Sequence, residues 1–143
     1  MLVTKEIIKR KFMDFNSLYF NSELPLCSFG LLHSFKRFGQ FSFNKNKWNK
    51  KKMTFILLEV SDYYDYDEHT LDMVILHEMI HYYLAYKFHD FEENMSHGAS
   101  FVSFIEEFNK KHNTDITVEI RKTLNRAPNK SYLGWWWHNK LLG

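Results

Sequence analysis

The chain contains a single cysteine, Cys27, among its 143 residues. One cysteine excludes an internal disulfide and a zinc ribbon built on cysteine ligands, and it fits a reducing compartment. Cys27 is predicted to be a small core residue rather than a nucleophile. No apolar run reaches the roughly 18 residues that a membrane span needs. Residues 1–6 lack the apolar region of a signal peptide, so we expect a cytoplasmic protein without a membrane partner.

An excess of one charge is also absent, because 19 basic and 17 acidic residues leave a formal net charge of +2. This total implies no particular partner. The hydrophobic content of 45% and aromatic content of 18% argue against disorder. We therefore predict one domain over residues 1–143, with a core at about 5–112 and an aromatic tail at 126–143. The sequence shows no internal repeat, and a monomer is assumed.

The segment 74–84 contains His77-Glu78-x-x-His81 in an apolar run without glycine or proline. In a helix the two imidazoles lie one turn apart on the same face, at a spacing that can hold one Zn²⁺. Glu78 lies about 100° further round the helix, where a carboxylate can take a proton from an attacking water. Chance gives roughly 0.03 such patterns in a chain of this composition. The alternative interpretation is a pair of buried structural histidines.

A catalytic zinc needs a third protein ligand. The candidates that follow the motif are His89, Glu92, Glu93, His97, Glu106, Glu107 and His112. Lys87 occupies the position where a metzincin needs histidine. The two glutamates at 106 and 107 fall on the polar side of the next predicted helix, and His89 follows the first histidine pair too closely. His97 precedes Gly98 at a predicted helix start, so it is the best candidate.

The remaining pattern predicts an α+β fold. Thr4 caps a first helix to about residue 20, whose apolar stripe is Ile8, Phe12, Phe15 and Tyr19. Its basic residues are predicted to form a solvated face: Lys5, Lys9, Arg10 and Lys11. Three strands follow at about 29–35, 39–43 and 53–60, and their short connections favour an antiparallel meander.

The second helix, at about 71–88, carries the histidine motif. Asp67 or Thr70 can cap it, and apolar residues on most of its sides predict that it is buried. A polar loop is expected at 89–95. Ser96 is predicted to cap a third helix that ends near Lys111. Residues 115–122 fit either a strand or a short helix.

Five lysines surround one tryptophan in the connection between the second and third strands. The residues concerned are Lys45, Lys47, Trp48, Lys50, Lys51 and Lys52. One interpretation is a soluble hairpin loop whose charges protect a sheet edge. The other is a loop that contacts phosphates while Trp48 stacks on an unpaired base of single-stranded DNA.

At several of these positions the chain resembles the SprT-like zinc metallopeptidases. Residues 20–25 resemble the Asn-x-x-Leu-Pro segment after that family's first helix, and 39–41 resemble its strand-turn glycine. Residues 76–81 are similar to its catalytic signature, and 97–101 to its His-Gly-x-x-Phe segment. The resemblance covers about residues 5–112.

The resemblance implies a minimal zincin-like α+β domain: an N-terminal helix, a three-stranded mainly antiparallel sheet, the HExxH helix and a following helix. By position, His77, His81 and His97 would hold one catalytic Zn²⁺, and Glu78 would be the base. It also implies proteolysis of proteins bound or crosslinked to DNA.

We therefore expect a zinc-dependent endopeptidase of broad specificity, whose extended protein substrate pairs with an exposed sheet edge. One alternative is a regulatory protease that cuts a single repressor without binding DNA. Another is a non-catalytic nucleic-acid-binding module with a structural zinc. Candidates for a second electrophile are Tyr132, His138 and the tyrosines of the central helix. Residues 135–137, three tryptophans, are either a partner-docking patch or a lid over the core.

Overall fold

A computed structural model describes residues 1–46, 48–49, 52–120 and 122–128. Within these ranges the elements are α1 (Lys5–Tyr19), β1 (Ser28–Leu32), β2 (Gly39–Lys45), β3 (Met53–Ser61), α2 (Glu68–Phe88), α3 (Glu92–Met95) and α4 (Ala99–His112). The predicted α+β class is confirmed. The predictions for Tyr132, 135–137 and His138 concern residues outside the described ranges. No helix of the described residues is long and apolar enough to cross a bilayer.

The three strands form a mixed sheet in the order β1-β3-β2. β2 pairs antiparallel with β3, whereas β1 pairs parallel with it, from Ser28 opposite Leu57 to Leu32 opposite Ser61. The predicted antiparallel meander is therefore wrong. A six-residue connection at 33–38 can cross the roughly 10 Å between strands two places apart, so its length did not require neighbouring strands. β3 takes the central place, where Leu58 and Val60 are fully buried.

Helix α1 begins where the sequence predicts, because the Thr4 hydroxyl accepts a hydrogen bond from the backbone N–H of Ile7. Ile8 and Phe12 are buried, and the Phe12 ring lies 5.3 Å from that of Phe29 on β1. The helix ends before Asn21, which takes a positive φ of 52°. This stripe joins α1 to the sheet.

Lys11 departs from the predicted solvated face, since only 7% of its surface is exposed. Its ammonium group pairs with Glu68 and, at 2.6 Å, with Asp72. Burial lowers the pKa of Lys11, but the hydrogen bonds with Asp72 and Glu68 outweigh that effect and leave it raised. The partners lie on α2, so the sequence of α1 could not indicate this contact.

Helix α2 begins three residues earlier than predicted and is capped by Asp67, whose carboxylate accepts the N–H of Thr70 at 3.0 Å. It is buried from both sides, as its composition predicts. Phe41 of β2 lies 5.3 Å from the Tyr82 ring on the sheet side. Phe101 of α4 packs against the opposite side, near the motif.

The stretch between α2 and α4 differs from the prediction. Part of the expected polar loop is the short helix α3, and Ser96 ends it rather than capping α4. The cap of α4 is Gly98, while the Glu93 carboxylate accepts the N–H of Ser100 at 3.2 Å. A Cβ on Gly98 would lie 2.5 Å from Cγ of Glu93, so this close approach requires glycine. The described part of 115–122 is neither strand nor helix.

Candidate metal centre

Three histidine rings meet between α2 and the start of α4. Their centroids are 5.0 to 5.2 Å apart, and one ligand atom from each lies within 4.8 Å of the others. His77 and His81 are buried on α2, one turn apart. His97 precedes α4 in a left-handed backbone conformation with φ 58°. The structure therefore brings together the three residues that the sequence predicts as ligands.

The outer nitrogen of each ring faces an acceptor. Nδ1 of His77 lies 3.1 Å from the carbonyl oxygen of Thr117, that of His81 lies 3.0 Å from Oδ1 of Asn94, and that of His97 lies 2.7 Å from Oε1 of Glu119. Such partners fix the tautomer with the proton on Nδ1 and leave Nε2 as a donor for a cation.

Two of the inner nitrogens lie close to the spacing that zinc needs. Nε2 of His81 lies 3.1 Å from Nε2 of His97. Two nitrogens on one tetrahedral zinc, each at about 2.05 Å, lie about 3.3 Å apart. With both protons held on Nδ1, the lone pairs of the two Nε2 atoms face each other across this gap. A cation bound between them would remove their repulsion. The donor set therefore fits a zinc ion.

Burial keeps the two α2 rings neutral. It lowers the pKa of His77 to about 3, with further lowering by the nearby His81. It lowers the pKa of His81 to about 4, against the hydrogen bond to Asn94, which raises it. Neutral imidazole is the form that binds a metal, so these two ligands need no deprotonation at pH 7.

Phe101 forms an apolar wall behind the rings. Its centroid lies 4.0 Å from that of His81 and 4.8 Å from that of His97. Phe101 lies four positions after His97, in the first turn of α4. The sequence offered it only as the last residue of the His-Gly-x-x-Phe segment, and its contact with the ligands is visible only in the structure.

Glu78 lies at the base of a cleft of about 200 Å³ and is 6% exposed. Burial raises the pKa of Glu78 to about 8, while Arg37 and the backbone N–H of Phe41 act to lower it. The cleft is lined by Lys36, Arg37, Phe38, Gly39, Tyr64, His77, Glu78, His97, Glu119 and Ile120. The carboxyl group thus shares one opening with two of the three histidines.

Strand β2 forms the edge of the sheet beside this cleft. The Phe38 carbonyl accepts the N–H of Ser61, so residues 38, 40 and 42 direct their backbone groups toward β3. Residues 39, 41 and 43 direct theirs away from it. Gly39 lets β2 approach α2, because a Cβ there would lie 2.9 Å from Val74 and 3.1 Å from Glu78.

Other residues that the sequence offers as metal ligands or as a second electrophile lie elsewhere. Glu106 and Glu107 are exposed on the polar side of α4, as expected, and His89 caps the end of α2 on the surface. The tyrosines of α2 do not line the cleft, so they are not electrophiles there. The Tyr82 hydroxyl, for instance, donates to the Pro25 carbonyl at 2.8 Å. Tyr64, which the sequence did not single out, lines the cleft and donates to the Phe35 carbonyl.

No sequence pattern indicated Asn94, Thr117 or Glu119 as partners of the ligands. Asn94 is fully buried, and its side-chain amide also donates to the His81 carbonyl at 2.8 Å. The other two residues belong to the irregular segment after α4. They reach the site only through the path of the chain, which local periodicity does not encode.

Cys27 packs beside the core, and burial raises the pKa of its thiol to about 12. The thiol is protonated at neutral pH, which agrees with the prediction of a core residue rather than a nucleophile.

The lysine-rich connection lies far from the cleft. Gly39 marks the cleft end of β2 and Lys45 its other end, about 20 Å away at 3.3 Å per residue. Trp48 is 92% exposed, and Lys52 is exposed beside it. The Asn46 side chain organises the turn by accepting the N–H groups of Trp48 and Asn49. The predicted contacts of Lys47, Lys50 and Lys51 lie outside the described residues.

The fold and the histidine cluster together define a minimal zincin-like domain: a mixed sheet, a buried HExxH helix and a third histidine before the next helix. The model of the SprT-like family matches residues 8–122, and the chain belongs to that family. Comparison with curated proteins and with solved structures yields no match.

Proposed function

We propose that this chain is a zinc-dependent endopeptidase with His77, His81 and His97 as ligands and Glu78 as general base. The observation that carries the proposal is the convergence of three imidazoles beside a buried carboxyl group, in a cleft that opens next to an edge strand. Bound zinc supplies Lewis-acid activation of the water and of the scissile carbonyl.

Glu78 handles the protons of this reaction. It accepts the proton of the attacking water and returns it to the leaving amine as the peptide bond breaks. A buried carboxyl group with a raised pKa costs stability, and among the described residues only the charge of Arg37 and the Phe41 N–H act to keep it ionised. This favours a catalytic role over a structural zinc site, which would not need Glu78.

The protein substrate would lie extended along β2. The outward backbone groups of residues 39, 41 and 43 offer hydrogen bonds to a peptide chain, apart from the Phe41 N–H that Glu78 takes. Backbone pairing reads little sequence, so broad specificity follows.

The test compares Glu78→Gln with Glu106→Gln, a matched change on the exposed face of α4. Glu78→Gln should lose at least about 100-fold in peptidase activity, since general base catalysis contributes about 10²–10⁴-fold, while zinc content stays near one per chain. Glu106→Gln should match wild type. Chelation should abolish wild-type activity, and added zinc should restore it. Wild-type rates in Glu78→Gln would refute the base assignment.

We further propose that the physiological substrates are proteins bound or crosslinked to DNA, with single-stranded DNA bound at the lysine-rich connection. The supporting observation is Trp48, whose ring is almost fully exposed between Lys45 and Lys52. An exposed indole among cations suits base stacking with phosphate contacts.

Replacing Lys45 and Lys52 by glutamate should flatten the dependence of log K on log salt by about 1.4, at about 0.7 per phosphate contact on single strands. Trp48→Ala should weaken binding with little change in that slope. Stimulation of cleavage by single-stranded DNA would distinguish this proposal from a regulatory protease that cuts one repressor. An unchanged salt slope would leave the connection as a soluble hairpin.

A further inference from the structure

The segment 114–120 after α4 has no regular structure, yet it is anchored. The Asn109 side chain makes three hydrogen bonds to it: Nδ2 donates to the Ile116 carbonyl at 2.8 Å, and Oδ1 accepts from the Thr114 hydroxyl at 2.8 Å and the Ile116 N–H at 3.0 Å. Ile116 itself is buried at 4% exposure. The segment is therefore held to the end of α4 by Asn109, and it is also tied to α2, where His69 pairs with Asp115 at 3.0 Å.

From this anchor, two groups reach the candidate metal centre. The Thr117 carbonyl accepts from His77, and the Glu119 carboxylate accepts from His97 at 2.7 Å. Two of the three rings thus depend for their orientation on seven residues that contain no helix or strand.

Of these two rings, His97 depends more on its contact with the segment 114–120. His77 and His81 are held by the buried helix α2, whereas the His97 side chain is 25% exposed and its backbone lies outside any helix. Phe101 and His81 stack against its ring, and the Glu119 carboxylate is the partner of its outer nitrogen Nδ1. A carboxylate on Nδ1 also makes Nε2 a stronger donor to a metal.

We infer that Glu119 is the positioning residue of the third ligand, and that the segment 114–120, held by Asn109, sets the affinity of the centre for zinc. This inference rests on the proposed zinc site. A contrasting interpretation is that the pair between His97 and Glu119, whose carboxylate side chain is 59% exposed, is an ordinary surface ion pair with no effect on the metal.

The experiment is a competition titration of zinc against a chromophoric chelator. Its variants are Glu119→Ala, Glu119→Gln and the control Glu107→Gln, an exposed glutamate of α4. Glu119→Ala should bind zinc about 10–100-fold more weakly than wild type. Glu119→Gln should fall between them, because its amide oxygen still accepts the bond without the charge. Glu107→Gln should stay within about twofold.

Affinity of Glu119→Ala within about twofold of wild type overturns the inference and leaves the proposed enzyme standing. Wild-type protein that takes up no zinc overturns both. Zinc-loaded wild type without peptidase activity, together with a weakened Glu119→Ala, supports the inference and refutes the endopeptidase.

A second measurement does not need a variant. If the segment orients the ligands, zinc must in turn stabilise the segment, because coupling between two sites is reciprocal. Amide hydrogen exchange at residues 114–120 should slow at least severalfold in zinc-loaded protein relative to chelated protein. The exposed residues 44 and 45, at the end of β2 away from the cleft, exchange by local opening and should change much less. Equal exchange of the segment in both states would overturn the inference.

Discussion

Gly39→Ala tests whether the closeness of β2 to α2 is needed for both stability and chemistry. The added Cβ would lie 2.9 Å from Cγ1 of Val74, 3.1 Å from Cγ of Glu78 and 3.2 Å from the Glu59 carbonyl oxygen. Reaching an ordinary contact of about 3.5 Å requires β2 and α2 to separate by about 0.6 Å. Neither side can yield locally, because Val74 is fully buried on α2 and Glu59 contributes backbone.

The energetic consequence follows from two opposing effects. Overpacking of this kind costs about 1–3 kcal/mol. The loss of backbone freedom in the unfolded chain offsets about 0.4–1 kcal/mol of that cost. The net destabilisation should be about 1–2 kcal/mol, which for a domain of this size lowers Tm by about 3–8 °C.

The activity of Gly39→Ala should fall even under conditions where the protein is fully folded. A misplacement of about 1 Å can cost about 100-fold in rate, so the smaller shift of Glu78 against the substrate edge should lower kcat/KM about tenfold. Zinc content should be unchanged, because no ligand touches Gly39. The assay is cleavage of a quenched peptide by zinc-loaded protein, at least 15 °C below Tm.

Gly30→Ala is the matched control. Gly30 pairs with Glu59 of β3, next to the Val60 that pairs with Gly39, but its added Cβ would meet the Glu59 side chain at 3.3 Å, and that side chain can rotate away. Its stability should change by less than about 0.5 kcal/mol, without loss of activity. If Gly39→Ala were as stable and active as Gly30→Ala, the close approach of β2 would have no role in the site.

Three further outcomes are expected. His97→Ala should lower zinc content well below one per chain, whereas His89→Ala should keep full content; metal analysis of the two distinguishes the assigned third ligand from its nearest competitor. Cys27, whose thiol pKa burial raises to about 12, should react with a thiol reagent at pH 8 at least about 100-fold more slowly in folded than in urea-unfolded protein. Lys11 lowers the pKa of the Glu68 carboxyl in the folded state, so this pair stabilises the fold above the unfolded pKa of about 4.3 and loses its effect as pH falls. The stability difference between wild type and Lys11→Met, measured by urea unfolding, should therefore shrink between pH 5 and pH 3, and a constant difference would contradict the pairing.

Residues one turn apart account for most of what could be predicted. The cap at Thr4, the stripe of α1 and the burial of α2 all follow from residues within one helix or directly before it. His77 and His81 belong to the same category, since a helix alone places them on one face. The third histidine, His97, was selected by elimination and by its place at a predicted helix start, and the resemblance of 97–101 to a family motif agreed with that choice; only the packing of the chain brings it to the other two.

Long-range contacts explain the predictions that were wrong and the contacts that the sequence did not indicate. The order of strands depended on which strand could bury both faces, and connection lengths did not encode it. The burial of Lys11 required two carboxylates from α2, 57 and 61 residues away. Ser96 does not cap α4, because the path of the chain places the Glu93 carboxylate at the start of that helix, where it accepts the N–H of Ser100.

By itself the sequence determined the ligand pair, the neighbouring carboxylate and the buried helix that carries them, because these depend on spacing within one regular element. The tertiary structure alone decided which strand borders the cleft and which groups orient each imidazole. Those depend on the meeting of segments up to 40 residues apart, such as Thr117 with His77. Side-chain spacing along a helix is fixed by its geometry, whereas the partner that a ring nitrogen finds across space is fixed only when the whole chain packs.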